Sequence, residues 1–347
     1  MTATTDDRSA LRPASTTRSI TVLHSLQPPD GTTKYVDHMV DGAAPGVHLR
    51  FFSFKSAYRG GYDVLHVHWP ELLVRDRRRW RAFAKRRALD VLLVLLRLRR
   101  VPIVWTAHNP EPHETWSAAE RRSVARFERR VALEIRLNDE TPVRAGRAAV
   151  TIPHGHYRSR FEALALPNAV PGRLLYFGII RPYKGVEALL RAFTALPGDD
   201  LVLRIVGDPH AGQRELVETA EAADPRVSSV LRYVDDDELV DDVGRASLVV
   251  LPYQERMGNS GSLLVALSLG RPVLVPASPV NAALAAEVGP GWVHQYDGEL
   301  TMEVLGEAVR AAAEPRSGEP SLACRDLDEV GRRHAAAYGR AIALVRG

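Results

Sequence analysis

The sequence has a single cysteine, Cys324, no long apolar run, and no Gly-x-Gly-x-x-Gly after its first strand. One thiol excludes an internal disulfide and makes no demand for an oxidising compartment, so the expected location is cytoplasmic. The longest apolar stretch, Val91 to Leu96, is cut off by Arg97, Arg99 and Arg100, far short of the ~20 residues a spanning helix requires. The absent glycine fingerprint counts against a nicotinamide-dependent oxidoreductase. Residues 1–18 are rich in Thr, Ser, Arg and Asp with no apolar core, which argues against a signal peptide and marks them as an expected disordered tail. Short repeats and low-complexity tracts are also missing, so solenoid, propeller and fibrous classes drop out.

The 347 residues are too many for one core and suit two domains of about 150 residues each. Apolar runs alternate with amphipathic ones throughout. Strands are expected at 20–24, 47–53, 63–68, 102–106, 134–137 and 149–152, and helices at 34–41, 76–100, 118–131 and 141–147. After the proline-bracketed stretch 164–173, strands follow near 174, 201, 230, 248 and 272, with helices at 185–195, 213–223, 236–245 and 261–268. The chain therefore divides into a tail (1–18), an N-terminal Rossmann-like acceptor domain (19–165), a C-terminal Rossmann-like nucleotide-sugar domain (172–325) and a final helical segment (326–347). Regular βα alternation calls for parallel sheets covered on both faces, with ligands bound off the carboxyl ends of the strands.

Two loops at such ends carry anion-binding signals. In Gly178-Ile179-Ile180-Arg181-Pro182-Tyr183-Lys184-Gly185, Arg181 and Lys184 add two positive charges to the unpaired N–H groups of a helix start, which suits a diphosphate. The blander reading is a solvated turn. In the second loop, 251–262, Ser260 is placed to cap the following helix, and Gly261 has no side chain to keep a phosphate from the amides of Gly261 and Ser262. A cap serving only its helix is the blander alternative, and the presence of both loops in one domain favours a shared diphosphate. In the first half, His66-Val67-His68-Trp69-Pro70-Glu71 ends another strand. Alternation puts His66 and His68 on one face as candidate acceptor contacts, Trp69 suits stacking on a sugar ring, and Glu71 is a candidate base; the plain alternative is a packed histidine pair with a solvated glutamate. His-x-His also suggests a metal, but no third ligand lies nearby at zinc-like spacing, so no metal site is expected.

The Gly-x-x-Arg-x-x-Lys-Gly loop, the strand ending in Pro252-Tyr253, the Ser/Gly-rich helix start and Gly270-Arg271-Pro272-Val273 together resemble the C-terminal domain of GT-B glycosyltransferases, in particular the GT4-like bacterial group. The resemblance covers most of Arg173 to Val275 and, more weakly, the whole chain. It implies an α/β architecture of two doubly wound Rossmann-like domains facing a central cleft. It places Arg181 and Lys184 on the donor pyrophosphate, with Gly178, Tyr253, Ser260, Gly261 and Ser262 around it, and sends a C-terminal helix, Leu327 to Leu344, back toward the N-terminal domain. Trp105-Thr106-Ala107-His108-Asn109 resembles the family's strand-end histidine that faces donor sugar and acceptor, where an imidazole donates to a sugar hydroxyl or moves a proton. One departure matters. The family's second glutamate, five residues before the Gly of Gly-x-Pro-Val, is replaced here by Val265, and Glu255 lies two residues out of register as a counterpart of the first. Ribose binding then falls to Glu287 or to backbone groups, and the retaining or inverting outcome stays open.

Between Glu71 and Arg100 there are eleven basic residues against three acidic ones. Mixed with apolar positions at helical spacing, they suit an anionic lipid surface better than a solvated face, and better still than nucleic acid, for which no motif is present. The expected activity is transfer of a hexose from a UDP- or GDP-linked sugar to a saccharide or lipid-linked acceptor at the cytoplasmic membrane face, with no cofactor or metal. The alternatives are a sugar-nucleotide epimerase or hydrolase on the same scaffold, or a non-catalytic nucleotide-sugar-binding homologue.

Overall fold

The computed structural model describes residues 19–29, 34–108, 116–144, 146–253 and 260–347. The tail 1–18, Asn109 and Glu255 lie outside the described residues. The chain is α/β and forms two six-stranded parallel sheets. The first contains β1 (Ile20–His24), β2 (Val47–Phe51), β3 (Val64–Val67), β4 (Ile103–Ala107), β5 (Val131–Arg136) and β6 (Ala149–Thr151), in the order β2-β1-β3-β4-β5-β6. The second contains β7 (Arg173–Phe177), β8 (Val202–Val206), β9 (Val227–Val230), β10 (Leu248–Val250), β11 (Val273–Pro276) and β12 (Val293–Tyr296), in the order β12-β11-β10-β7-β8-β9. The central strands are near-continuous apolar runs because helices cover both faces: β3, β4 and β10 are buried at every position. The strand order reverses between β1 and β3 and again between β7 and β10, so each sheet opens a crevice at that point, beyond the strand carboxyl ends.

The helix Leu327–Arg346 returns to the first sheet. Its Val330, Ala337, Tyr338 and Ala341 pack against Val22, Val64, Val104, Leu133 and Ile135. Two ion-pair systems tie the halves together near the cleft. Arg160 donates to Asp37 of the first half and Asp236 of the second, both at 2.5 Å, and Arg325, paired with both oxygens of Glu287 at 2.6 and 2.7 Å, crosses to the His154 carbonyl of the first half at 3.2 Å.

Local differences from the sequence reading have physical causes. The β2 strand stops at Phe51 because Ser53 caps a short helix, Phe54–Arg59, through a reciprocal capping box with Ser56. Among the described residues of 141–147 there is no helix. At the start of this stretch the Arg136 guanidinium binds the carbonyls of Asp139 and Thr141, and the Asn138 side chain accepts from Thr141 N, holding a turn there. The strand expected from Val230 instead spans Val227–Val230. Beyond β11 come helix Pro279–Val288, β12 and helix Met302–Ala313, none of which the sequence pattern had resolved.

Candidate active site

At the β7/β10 crevice the two anion-binding loops meet. Gly185 has a left-handed backbone (φ 71°), and a Cβ there would stand 1.8 Å from the Pro252 carbonyl oxygen, so only glycine permits the loops to touch. Gly178 faces Ser262 in the same way: a Cβ on it would lie 3.1 Å from the Ser262 Oγ. The Lys184 ammonium sits 3.7 Å above the centre of the Tyr253 ring, and the Tyr253 hydroxyl bonds Ser260 Oγ at 3.1 Å. Ser260 Oγ in turn accepts from Leu263 N at 3.2 Å, capping helix Gly261–Ser268. Gly178, Lys184, Tyr253, Ser260, Gly261 and Ser262 are therefore neighbours, and Arg181 belongs to the same turn, with its Nε buried and unpartnered among the described residues. Tyr253 is itself buried, so its ring supports Lys184 from below.

Opposite this cationic crevice, the first sheet presents imidazoles and aromatic rings. His108, just past β4, is half-buried; it stacks on Trp69 at 4.5 Å with a 20° tilt and meets the edge of Tyr35 at 4.8 Å. Tyr35 also meets His154, which follows β6, at 5.2 Å. Tyr157 lies 5.7 Å from His154, and a Cβ on Gly261 would reach its hydroxyl at 3.4 Å, so this ring bridges the two sides. Glu71 is half-exposed in the single turn Pro70–Leu73 that follows Trp69.

Burial holds these imidazoles neutral. The pKa of His108 falls to about 3 through desolvation, helped by His154. His24 falls to about 3 for the same reason, with a smaller push from His334, and His66 and His68 lie well below the usual histidine value because of burial and their histidine neighbours.

Three expectations need correction. His66 and His68, read as acceptor contacts, are 0% and 1% exposed; both lie behind the surface and cannot reach a substrate. Glu287, read as a ribose ligand, is committed to Arg325 and accepts from the Cys324 thiol at 3.0 Å. It still borders a cleft cavity of about 250 Å³, whose walls include His154 from the first half and Ser260 and Leu263 from the second. The absence of a third imidazole beside His66 and His68 holds only along the chain: β1 pairs with β3 so that His24 is the register partner of His66, and the three ligand-type nitrogens lie within 4.8 Å of one another.

His24, Tyr35, His154, Tyr157 and Tyr338 were not read as site residues. A signal was available for the histidines: β1, β3, β4 and β6 each run into His24, His66-x-His68, His108 or His154, at or just past the strand end.

The glycosyl transferases group 1 family profile matches residues 171–299. The GDP-mannose:glycolipid 4-beta-D-mannosyltransferase of Xanthomonas campestris pv. campestris is 45% identical over 328 residues, covering 93% of this chain and 93% of that protein. Among solved structures, Anabaena Alr3699/HepE in complex with UDP superposes with a TM-score of 0.59 at 15% identity, covering 94% of this chain and 97% of that one. AviGT4, a glycosyltransferase involved in avilamycin A biosynthesis, gives 0.56 at 17% identity, covering 93% and 98%. With strand order, cleft and a relative of that identity and coverage in agreement, the chain belongs to the group 1 glycosyltransferases of the GT-B fold.

Proposed function

We propose that the protein transfers mannose from GDP-mannose to the saccharide of a membrane-held glycolipid. The observation that carries this reading is the contact of the two second-sheet loops, which gathers Lys184, the unpartnered Arg181 Nε and the start of helix Gly261–Ser268 around one crevice. An acceptor hydroxyl attacks the anomeric carbon, the bond from that carbon to the phosphate oxygen breaks, and GDP leaves with the charge that the two cations and the helix amides offset. With these groups on the diphosphate, no metal or other cofactor is required. The relative is named for a β-mannosyl product; from the α-linked donor such a product requires inversion, hence a single displacement and a base on the acceptor side. His108 is assigned to take the acceptor proton, with Glu71 the alternative.

The acceptor's lipid accounts for a surface otherwise unexplained. On helix Arg79–Leu98, Ala82, Leu89, Leu92, Leu93 and Leu96 are buried, while Trp80, Phe83, Val91, Val94 and Leu98 form an exposed apolar stripe on the opposite side. Arg81 and Arg87 lie against Trp80 and Phe83, and cations flank the stripe at both ends. Apolar insertion together with about 1 kcal/mol per cation near anionic lipid would hold the cleft beside its acceptor. No described helix is long and apolar enough to cross a membrane.

The test is mannose transfer from GDP-mannose to a glycolipid in anionic vesicles, with and without EDTA. Acceptor-dependent, EDTA-resistant transfer is expected. Donor breakdown or epimerisation at full rate without acceptor would replace this reading with a hydrolase or epimerase. Trp80→Ser with Val94→Ser should release the protein from the vesicles while leaving transfer to a soluble acceptor within about twofold, surface positions being tolerant of such change.

A further inference from the structure

The buried histidines of the first sheet form one continuous hydrogen-bonded line. Thr106 Oγ1 meets His66 Nε2 at 2.7 Å, His66 Nδ1 meets the Tyr338 hydroxyl at 2.9 Å, and that hydroxyl meets His24 Nε2 at 3.4 Å. His24 Nδ1 then meets His68 Nε2 at 3.1 Å, and His68 Nδ1 meets His108 Nε2 at 3.2 Å. All six ring nitrogens of His24, His66 and His68 are engaged in this line. Every member before His108 is at most 1% exposed, so water does not compete for these bonds.

A neutral imidazole has one donor and one acceptor nitrogen, and a phenol donates once. With every bond made, the line has three proton arrangements: two that run in one direction throughout, and one in which the Tyr338 oxygen accepts from both His66 Nδ1 and His24 Nε2. In two of the three, His108 Nε2 donates inward and its Nδ1 carries the lone pair; in the other, Nε2 accepts and Nδ1 is protonated. Only inward donation makes His108 a base at Nδ1. When it takes a proton there, the ring becomes a cation whose Nε2–H still points at a neutral acceptor, His68 Nδ1. The proton has no reason to move further in, because each deeper imidazole is more buried than His108. The other titratable neighbours are His334, whose Nδ1 bonds the Val330 carbonyl at 2.8 Å, Tyr35, whose ring edges His68 and His108, and His154 beside Tyr35.

We propose that Tyr338, acting through His24 and His68, is a positioning residue that sets the tautomer of His108, so that helix Leu327–Arg346 must be seated on the first sheet for the base to be competent. This rests on the assignment of His108 as the base, but its primary readout does not. In the full-length chain labelled with ¹⁵N-histidine, the His108 ring-nitrogen shifts should report one fixed tautomer. Tyr338→Phe should move them toward the tautomer-averaged values of a free imidazole, and Thr106→Val, a near-isosteric change at the far end, should move them in the same direction. Turnover in Tyr338→Phe should fall at least tenfold with the KM for GDP-mannose within twofold, a split that general loosening of the fold would not give. Unchanged His108 shifts in both variants would overturn the proposal whatever the turnover. So would one equivalent of a transition metal that copurifies with the protein and is lost in His24→Ala, since a metal would then occupy the place of the His24–His68 bond. Full turnover in His108→Ala would instead remove the base assignment and leave the shift result standing.

Discussion

The two crevices sit at the same topological place in their sheets and hold opposite chemistry. At β7/β10 the chain supplies a guanidinium, an ammonium and glycines that let backbone approach backbone; at β1/β3 and the adjoining β4 end it supplies neutral rings packed on one another. Strand order fixes where a ligand can sit, and the few residues after each strand decide what is stabilised there. The cationic side suits a leaving group that gains charge. The neutral side suits a hydroxyl that must lose a proton without a nearby cation or anion already holding it.

If the comparison is right, the largest loss comes from the neutral side. His108→Ala should lower kcat by about 10²–10⁴-fold, the usual range for a positioned base, while calorimetry shows GDP bound as before; Glu71→Gln showing that loss instead would move the base to Glu71. Next is the cationic side. Lys184→Ala should lower kcat/KM by about 10²–10³-fold, as for removal of one preorganised charge partner, and should weaken GDP more than guanosine. Equal weakening of both ligands would mean that Lys184 supports the loop and not the diphosphate.

The smallest effect separates the two sides by acid. A buried histidine with a depressed folded pKa adds nothing above the unfolded value of 6.5 and costs stability as pH falls below it, because only the unfolded chain then takes the proton. His24 and His108 at about 3, and His154 and His334 at about 4, all act in this direction. Each contributes up to about 1.4 kcal/mol per pH unit below 6.5. The melting temperature should therefore drop steeply from pH 6.5 to 5, and His24→Gln should flatten that slope while lowering the plateau above pH 7. A slope unchanged by the substitution would show that the imidazole line does not govern acid unfolding.

Much of the second crevice was legible in the sequence because its parts lie within short loops: Arg181, Lys184 and Gly185 fall in five residues, and Ser260 to Ser262 in three. The βα periodicity likewise gave the α/β class and most strands. The imidazole line was not legible, since His24, His66, His108 and Tyr338 are joined only by parallel register and by a helix that follows the whole second half in sequence and packs on the first sheet. Reading His66 and His68 as surface groups failed for the same reason, because burial at a switch point depends on what covers it. The pairing of Glu287 with Arg325 was not legible either, because Arg325 lies in a segment whose path no local pattern reveals.

The return of Leu327–Arg346 also bears on synthesis. On a ribosome, the face of the first sheet carrying Val22, Val64, Val104 and Ile135 emerges between 195 (Ile135 to Val330) and 319 (Val22 to Ala341) residues ahead of the side chains that cover it. The nascent amino-terminal half must therefore wait, greasy side outward, while the later half folds ahead of it, reversing the usual order in which domains mature during translation.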